Sequence, residues 1–203
     1  MPFFPPDPDV PEPEPVESEQ PAWWQAPEDE LPVILPISEF LARTDQVALV
    51  LAGVAVHSEG IAFRVERLIR RNGIPMREWN ELCQTFMEHM APFDATDVAG
   101  RLRFGVELAD GEKVLADPHP FLGHADPSFG REGHVLSRLQ RGGGGSGSTY
   151  SAADELWLWP LPPAGPIDVV LQWPALGIDE THVTIDVGSV EEPAARARRY
   201  WPS

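Results

Sequence analysis

Alternation of apolar and polar positions is clearest between Glu155 and Pro174, in the run ELWLWPLPPAGPIDVVLQWP. Trp157 and Trp159 fall on one face of an extended chain, Leu156 and Leu158 on the other. Beyond a proline-rich turn, Ile167, Val169, Leu171 and Trp173 alternate with Asp168, Val170 and Gln172. A period of two in β-branched and aromatic residues, bounded by Pro and Gly, predicts strands with one face on a core. The first strand is apolar on both faces, which predicts a central place in the sheet.

The same pattern organises the rest of the chain. Val33–Ile37, interrupted by Pro36, predicts an edge strand, and the residues from Ser38 to Ala42 a single helical turn. Val47–Val56 and Ile61–Ile69 predict a hairpin turning at His57–Gly60, with Ile61, Phe63 and Val65 on the face opposite Ala62, Arg64 and Glu66. Gly53 in mid-strand predicts a bulge or the close approach of another backbone. Leu102–Leu108 and Lys113–Ala116, turned by Asp110-Gly111, then Val135–Leu139 and Thr181–Val187, complete the strands. Trp79, Leu82, Cys83, Phe86 and Met90 instead recur at three- and four-residue steps, predicting a helix over 75–90 between Pro75 and Pro92. Ser189 followed by Glu192 reads as a capping box opening a short helix through Arg199, with Tyr200 and Trp201 as an anchor.

A parallel sheet would need helices between most strands, and the pattern has none there. The prediction is a mainly β protein: an antiparallel β-sandwich, immunoglobulin-like or related, of about seven to nine strands. It carries one inserted helix and a short C-terminal helix. Residues 1–30 are expected as a disordered acidic, proline-rich tail, 31–188 as the sandwich with its insertion near 75–90, and 189–203 as the C-terminal helix and anchor.

Charge sharpens this division. Of the net −17, nine acidic groups and no Lys or Arg lie in residues 1–30, leaving −8 for the remainder. Nine of the 23 prolines also fall in that segment, and in PDPDVPEPEPVE they alternate with carboxylates, which excludes helix and ladder. An acidic domain repels phosphate, so neither nucleic acid nor an anionic membrane is expected as a partner. The longest apolar run, Val47–Val56, is ten residues against the ~20 of a membrane helix, and the N-terminal MPFFPPDPDV lacks a basic region ahead of its apolar residues. The single cysteine, Cys83, precludes an internal disulfide and suits a reducing cytoplasm. It lies on the apolar stripe with no His, Lys or Arg adjacent, as a packing thiol.

Within the tail, Trp23 and Trp24 stand out as two adjacent indoles, costly to leave in water. They are expected either to fold back onto the domain or to serve as partner-binding residues in the short motif PAWWQAPEDEL. Arg64, Arg67, Arg70 and Arg71 read as an exposed basic stripe, on which the acidic tail could sit in a salt-sensitive, autoinhibitory contact.

Candidate chemistry is sparse. Gly142, Gly147 and Thr149 match the outer positions of a phosphate-binding loop, but Ser148 stands where the lysine belongs and a strand follows instead of a helix. A flexible, poorly ordered connector is expected there. His119, His124 and His134 with Asp117 and Asp126 could ligate a divalent metal, but their spacing matches no short ligand pattern, so a surface loop is expected. No GxSxG elbow surrounds any serine, and no carboxylate pair outranks the others. No cofactor and no catalytic residue is assigned.

The run WPLPPAGPIDVVLQWPALGIDETHV, with LRFGVELADG and a glycine run upstream, resembles a group of uncharacterised actinobacterial β-rich proteins. The resemblance covers about residues 46–71 and 101–187, while the helix at 75–90 and the acidic tail depart from the group's pattern. It implies a domain and no activity, and its matching positions, Trp157, Trp159, Trp173 and Glu180, are read as fold-defining. The expected function is a non-catalytic protein-interaction or structural module with an unknown protein partner. The alternatives are a small-ligand or carbohydrate-binding domain using its tryptophans, and a metal-dependent enzyme centred on the histidine loop.

Overall fold

The computed structural model describes residues 21–87, 100–117 and 133–201. It is mainly β, with two α-helices among the described residues. Along the chain come β1 (Glu30–Leu31), β2 (Val33–Leu35), β3 (Glu39–Arg43), β4 (Val47–Val56), β5 (Ile61–Arg70) and α1 (Met76–Phe86). After these follow β6 (Arg103–Glu107), β7 (Lys113–Asp117), β8 (Val135–Gly145), β9 (Thr149–Trp159), β10 (Pro166–Trp173), β11 (Ile178–Asp186), α2 (Glu191–Ala195) and β12 (Arg198–Arg199).

Ten strands join one sheet in the order β11-β10-β6-β7-β8-β9-β5-β4-β2, with β3 also on β4. The sheet curls into a half-barrel that brings β11 against β3. This replaces the two stacked layers of the expected sandwich. Nor is the ladder wholly antiparallel, because β7 meets β8 in parallel at Ala116–Leu136 and Asp117–Ser137.

Alternation decides which residues enter the curl. Ile61, Phe63 and Val65 of β5, Leu49 and Leu51 of β4, and Leu156 and Leu158 of β9 are buried on the inner face. Leu102, Phe104, Val106 and Leu108 join them from the β6 segment, and Ile167, Val169, Leu171 and Trp173 from β10. Helix α1 contributes Trp79 and Phe86 to this core. Gly53 marks a register shift in β4, as its place in the strand predicts.

Several segments differ from the sequence expectation. Glu39–Arg43 is a strand where a helical turn was expected, because β4 is long enough for β2 to pair with Val54–Val56 and β3 with Ala48–Leu51, which satisfies the backbone groups of both. The glycine run is not a loop: Gly142–Gly145 pair with Tyr150–Ala153, and only Ser146–Ser148 turn the chain. The run suits glycine, since a Cβ at Gly145 would lie 2.2 Å from the Tyr150 ring and one at Gly143 would lie 2.9 Å from the Ser151 carbonyl. At the C-terminus no side chain caps α2, which stops at Ala195. Arg198 and Arg199 then pair with Leu31 and Glu30, so this ribbon fixes the terminus, while Tyr200 and Trp201, the expected anchor, are exposed.

Candidate functional site

Two faces of the β3-β4-β5-β9-β8 region carry the features that bulk packing does not explain. On the inner face Arg67 falls in phase with Val65 and Ile69 and is 2 % exposed, so it leaves the expected exposed stripe. Asp154 of β9, also 2 % exposed, falls in phase with Leu156 and Leu158. Arg67 Nε lies 2.5 Å from Asp154 Oδ2, and Arg138 Nε lies 3.2 Å from Asp154 Oδ1. Arg67 also donates to the Phe86 carbonyl at the end of α1, and its guanidinium sits over the rings of Phe86 and Trp173. Phe86 stacks on Trp173 and meets the edge of Tyr150. This cluster ties the helix, β5, β8, β9 and β10 together.

The outer face divides into two halves. Over the first lie residues 21–30, which the sequence analysis assigned to the tail. Trp157 Nε1–H donates to the Ala22 carbonyl at 2.8 Å, and the Ser137 hydroxyl donates to the Trp23 carbonyl at 2.8 Å. Trp23 is buried, Trp24 half-buried, and Ala26 packs with Ala55, Ala62 and Trp157. Glu30 closes this strap: its carboxylate accepts from the Ser58 amide at 2.8 Å and the Ser58 hydroxyl at 2.7 Å. His57 Nδ1 lies 3.3 Å from Glu30 Oε1, and the imidazole meets Trp157 edge-on. Burial holds the His57 pKa below its ordinary value, against the pull of Glu30. Because Ser58 is bonded to the carboxylate and not to the imidazole, the trio is a latch and not a serine–histidine relay. Beneath it Gly60 is required, since a Cβ there would lie 2.5 Å from the Leu158 carbonyl and 2.6 Å from the Trp157 ring.

The second half of the outer face has no such cover among the described residues. Cross-strand register places Phe40, Val50, Glu66 and Ala153 in one row, continued by Gly142, and Arg43, Ala48, Leu68 and Ser151 in the next, continued by Gly144. Phe40 is 58 % exposed and Leu68 39 %. Small residues flank them, and at Gly142 and Gly144 the outward space is open. The result is a largely apolar platform on the outside of the curl. Three arginines frame it: Arg64 on the side of the strap, and Arg43 and Arg70 at the far end, all exposed. Arg43 lies over the Phe40 ring, and Arg70 donates to the Asp45 backbone carbonyl. Glu66 is the one carboxylate in the two rows, and Glu155 at their border is paired to Arg141 at 2.6 Å.

The remaining sequence candidates are dispersed. Trp157 and Trp173 are buried on opposite faces, and Trp159 is half-buried beside Glu59 and Leu161. They form no common open surface. Glu180 is exposed on β11, where it and Asp168 flank His182, raising the pKa of that imidazole. His119, His124, Asp126 and the side chain of Asp117 lie outside the described residues, as do Met90 and Pro92. His134 is described; its Nδ1 lies 2.6 Å from Glu112, and that hydrogen bond lowers the Glu112 pKa. Among the described residues no cluster of metal-ligating groups occurs, and no helix is long and apolar enough to cross a membrane. Cys83 is half-buried on α1, with its pKa raised by burial.

Sequence reasoning missed the Arg67–Asp154 pair and the Glu30 latch. The first carried a signal, since each residue keeps the phase of the buried positions around it. The second carried none, because Glu30 and Ser58, far apart in the chain, meet only once β2 has paired with β4, Val33 opposite Val56. No known protein family matches the chain, and neither does any curated protein or solved structure.

Proposed function

We propose that the chain is a non-catalytic protein-interaction module whose contact surface is the bare half of the outer face. The observation that carries this reading is Phe40 and Leu68, more than half and more than a third exposed, on an apolar sheet surface whose other half is covered by the chain's own strap. An apolar platform with a charged rim is the composition of a protein contact. The inner face supports it mechanically: the Arg67–Asp154–Arg138 cluster and the aromatic rings around it hold five elements in fixed relation. A rigid sheet presents its outward side chains without an ordering cost on binding. A single cysteine, Cys83, which has no second thiol in the chain to pair with, fits a cytoplasmic setting.

The test is affinity capture from the source cells with the full-length protein and with the double variant Phe40→Asp/Leu68→Asp. Both changes are outward, so the circular-dichroism spectrum and melting midpoint stay close to wild type. A partner retained by the wild type and lost by the variant supports the platform. A partner retained equally by both removes it.

A further inference from the structure

The bare platform has a candidate occupant in the same chain. We propose that residues 1–20 bind in cis across it, with Phe3 and Phe4 on the Phe40–Leu68 surface and the tail carboxylates against Arg64, Arg43 and Arg70. The inference rests on the reading of this face as the contact surface and adds what regulates access to it.

Three observations carry it. The first is where the described chain begins. Pro21 adjoins Ala22 and Trp23, whose carbonyls are bonded to Trp157 and Ser137 on this same outer face. From Trp157 to Ala153 along β9 is four residues, about 13 Å at strand rise. The far rim at Thr149 is about 26 Å away on the same measure. Twenty residues at about 3.1 Å each reach roughly 60 Å, so the tether spans the platform with slack.

The second is charge. Residues 1–20 contain Asp7, Asp9, Glu12, Glu14, Glu17 and Glu19 and no Lys or Arg. The framing arginines are three on a protein of net charge −17; Glu66 is the one carboxylate in the rows between them, and Glu155, opposite Arg64, is paired to Arg141. Arg43 and Arg70 engage a ring and a backbone carbonyl, which leaves their charge available to a carboxylate. A tethered acidic segment meets such a rim at high effective concentration.

The third is the chemistry of the segment. Its alternate prolines remove amides that a ladder needs, so it would meet the platform through side chains and not by extending the sheet. Its MPFF end supplies two aromatic rings for the apolar part of the platform. A second copy of the chain fits less well, since two faces framed by arginine would oppose like charge.

The experiment uses the full-length protein. In one arm, Cys83→Ser with Val10→Cys carries a nitroxide, and amide peak intensities are read by NMR. Intensity is expected to fall at residues 40, 48, 50, 66, 68 and 153 and to be kept at residues 103, 105 and 107 of β6, which lies three strands from β9 on one side and three from β3 on the other. The loss should reverse at about 1 M salt, where charges are screened beyond about 3 Å. In the second arm, which needs no label, Asp7→Asn, Asp9→Asn, Glu12→Gln, Glu14→Gln, Glu17→Gln and Glu19→Gln are combined, and chemical shifts should move at the same platform amides. Uniform broadening, broadening elsewhere, or shifts confined to the tail would overturn the proposal. So would intensity loss in mixtures of labelled and isotope-enriched molecules, which would make a second copy the occupant. Failure here with partner loss in Phe40→Asp/Leu68→Asp leaves the interaction surface standing and removes only the cis contact.

Discussion

Arg67 and Asp154 meet diagonally inside the curled sheet, Nε to Oδ2 at 2.5 Å, on adjacent strands β5 and β9, where Arg67 stands opposite Ala152 and Asp154 opposite Val65. Both side chains are at least 98 % buried. Each charge alone would be costly in so apolar a setting, and the pair is tolerated because hydrogen bonds complete it. Phe86 supplies a carbonyl to the guanidinium, and Arg138 a second donor to the carboxylate.

Breaking this pair from one side should therefore be worse than removing it. Asp154→Leu leaves the guanidinium of Arg67 buried without its carboxylate, an expected loss of about 3–5 kcal/mol. The double variant Arg67→Met/Asp154→Leu should recover part of that loss. Urea midpoints for the wild type, both single variants and the double variant measure it. A double variant less stable than Asp154→Leu would mean that the cluster acts through something besides its charges.

Much of the fold was legible because alternation survives in β5 and β10 and through the β6 segment: Ile61, Phe63 and Val65, like Leu102, Phe104 and Val106, are buried as the pattern predicts. Arg67 obeys the same rule: its place in the strand buries it despite its charge. Other features left no local trace. That β7 meets β8 in parallel and β11 comes round to β3 depends on the curl of the whole sheet. The platform is likewise a product of register, since Phe40 meets Val50 and Leu68 meets Ala48 only after β3, β4 and β5 have paired. Composition misled at Gly142–Gly145, where glycine normally signals a connector but here stands in a ladder.

The strap over Trp157 should be visible in fluorescence. Trp23 is 6 % exposed and its carbonyl accepts from Ser137. Trp23→Ala removes a buried indole, with an expected cost of about 3 kcal/mol or more, concentrated in the strap. Trp157, 2 % exposed beneath it, then meets water. The emission maximum should shift to the red and acrylamide quenching should rise. Unchanged quenching would show that the cover survives without its indole.

Acid should loosen the same strap through His57. Its pKa in the folded protein lies below the ordinary 6.5, because burial disfavours the imidazolium. The unfolded chain therefore takes up this proton first. The contribution is present above pH 6.5 and is lost as pH falls toward the folded pKa. His182 has the opposite sign. Asp168 and Glu180 raise its pKa above 6.5, so its contribution is present below that value and lost as pH rises through the folded pKa. Ring-proton shifts followed by NMR should give a midpoint for His57 below, and for His182 above, that of a model histidine. A His57 midpoint at or above 6.5 would mean that the pull of Glu30 outweighs burial, and would reverse the sign of this pH dependence.

The glycine strand separates space from propensity. Gly144 and Gly145 are neighbours in β8, both paired to β9, yet a Cβ meets nothing within 4 Å at Gly144 and the Tyr150 ring at 2.2 Å at Gly145. Gly144→Thr replaces a flexible residue by one that favours strand, so stability should hold or rise by up to about 1 kcal/mol. Gly145→Thr must displace Tyr150, which meets Phe86 edge-on, or open the ladder beside Thr149, with an expected loss of about 1–3 kcal/mol. Melting midpoints of the two variants should then move in different directions. Equal loss at both positions would mean that the run is glycine for the sake of its backbone freedom, and that the hairpin needs to flex where the ladder is drawn closed.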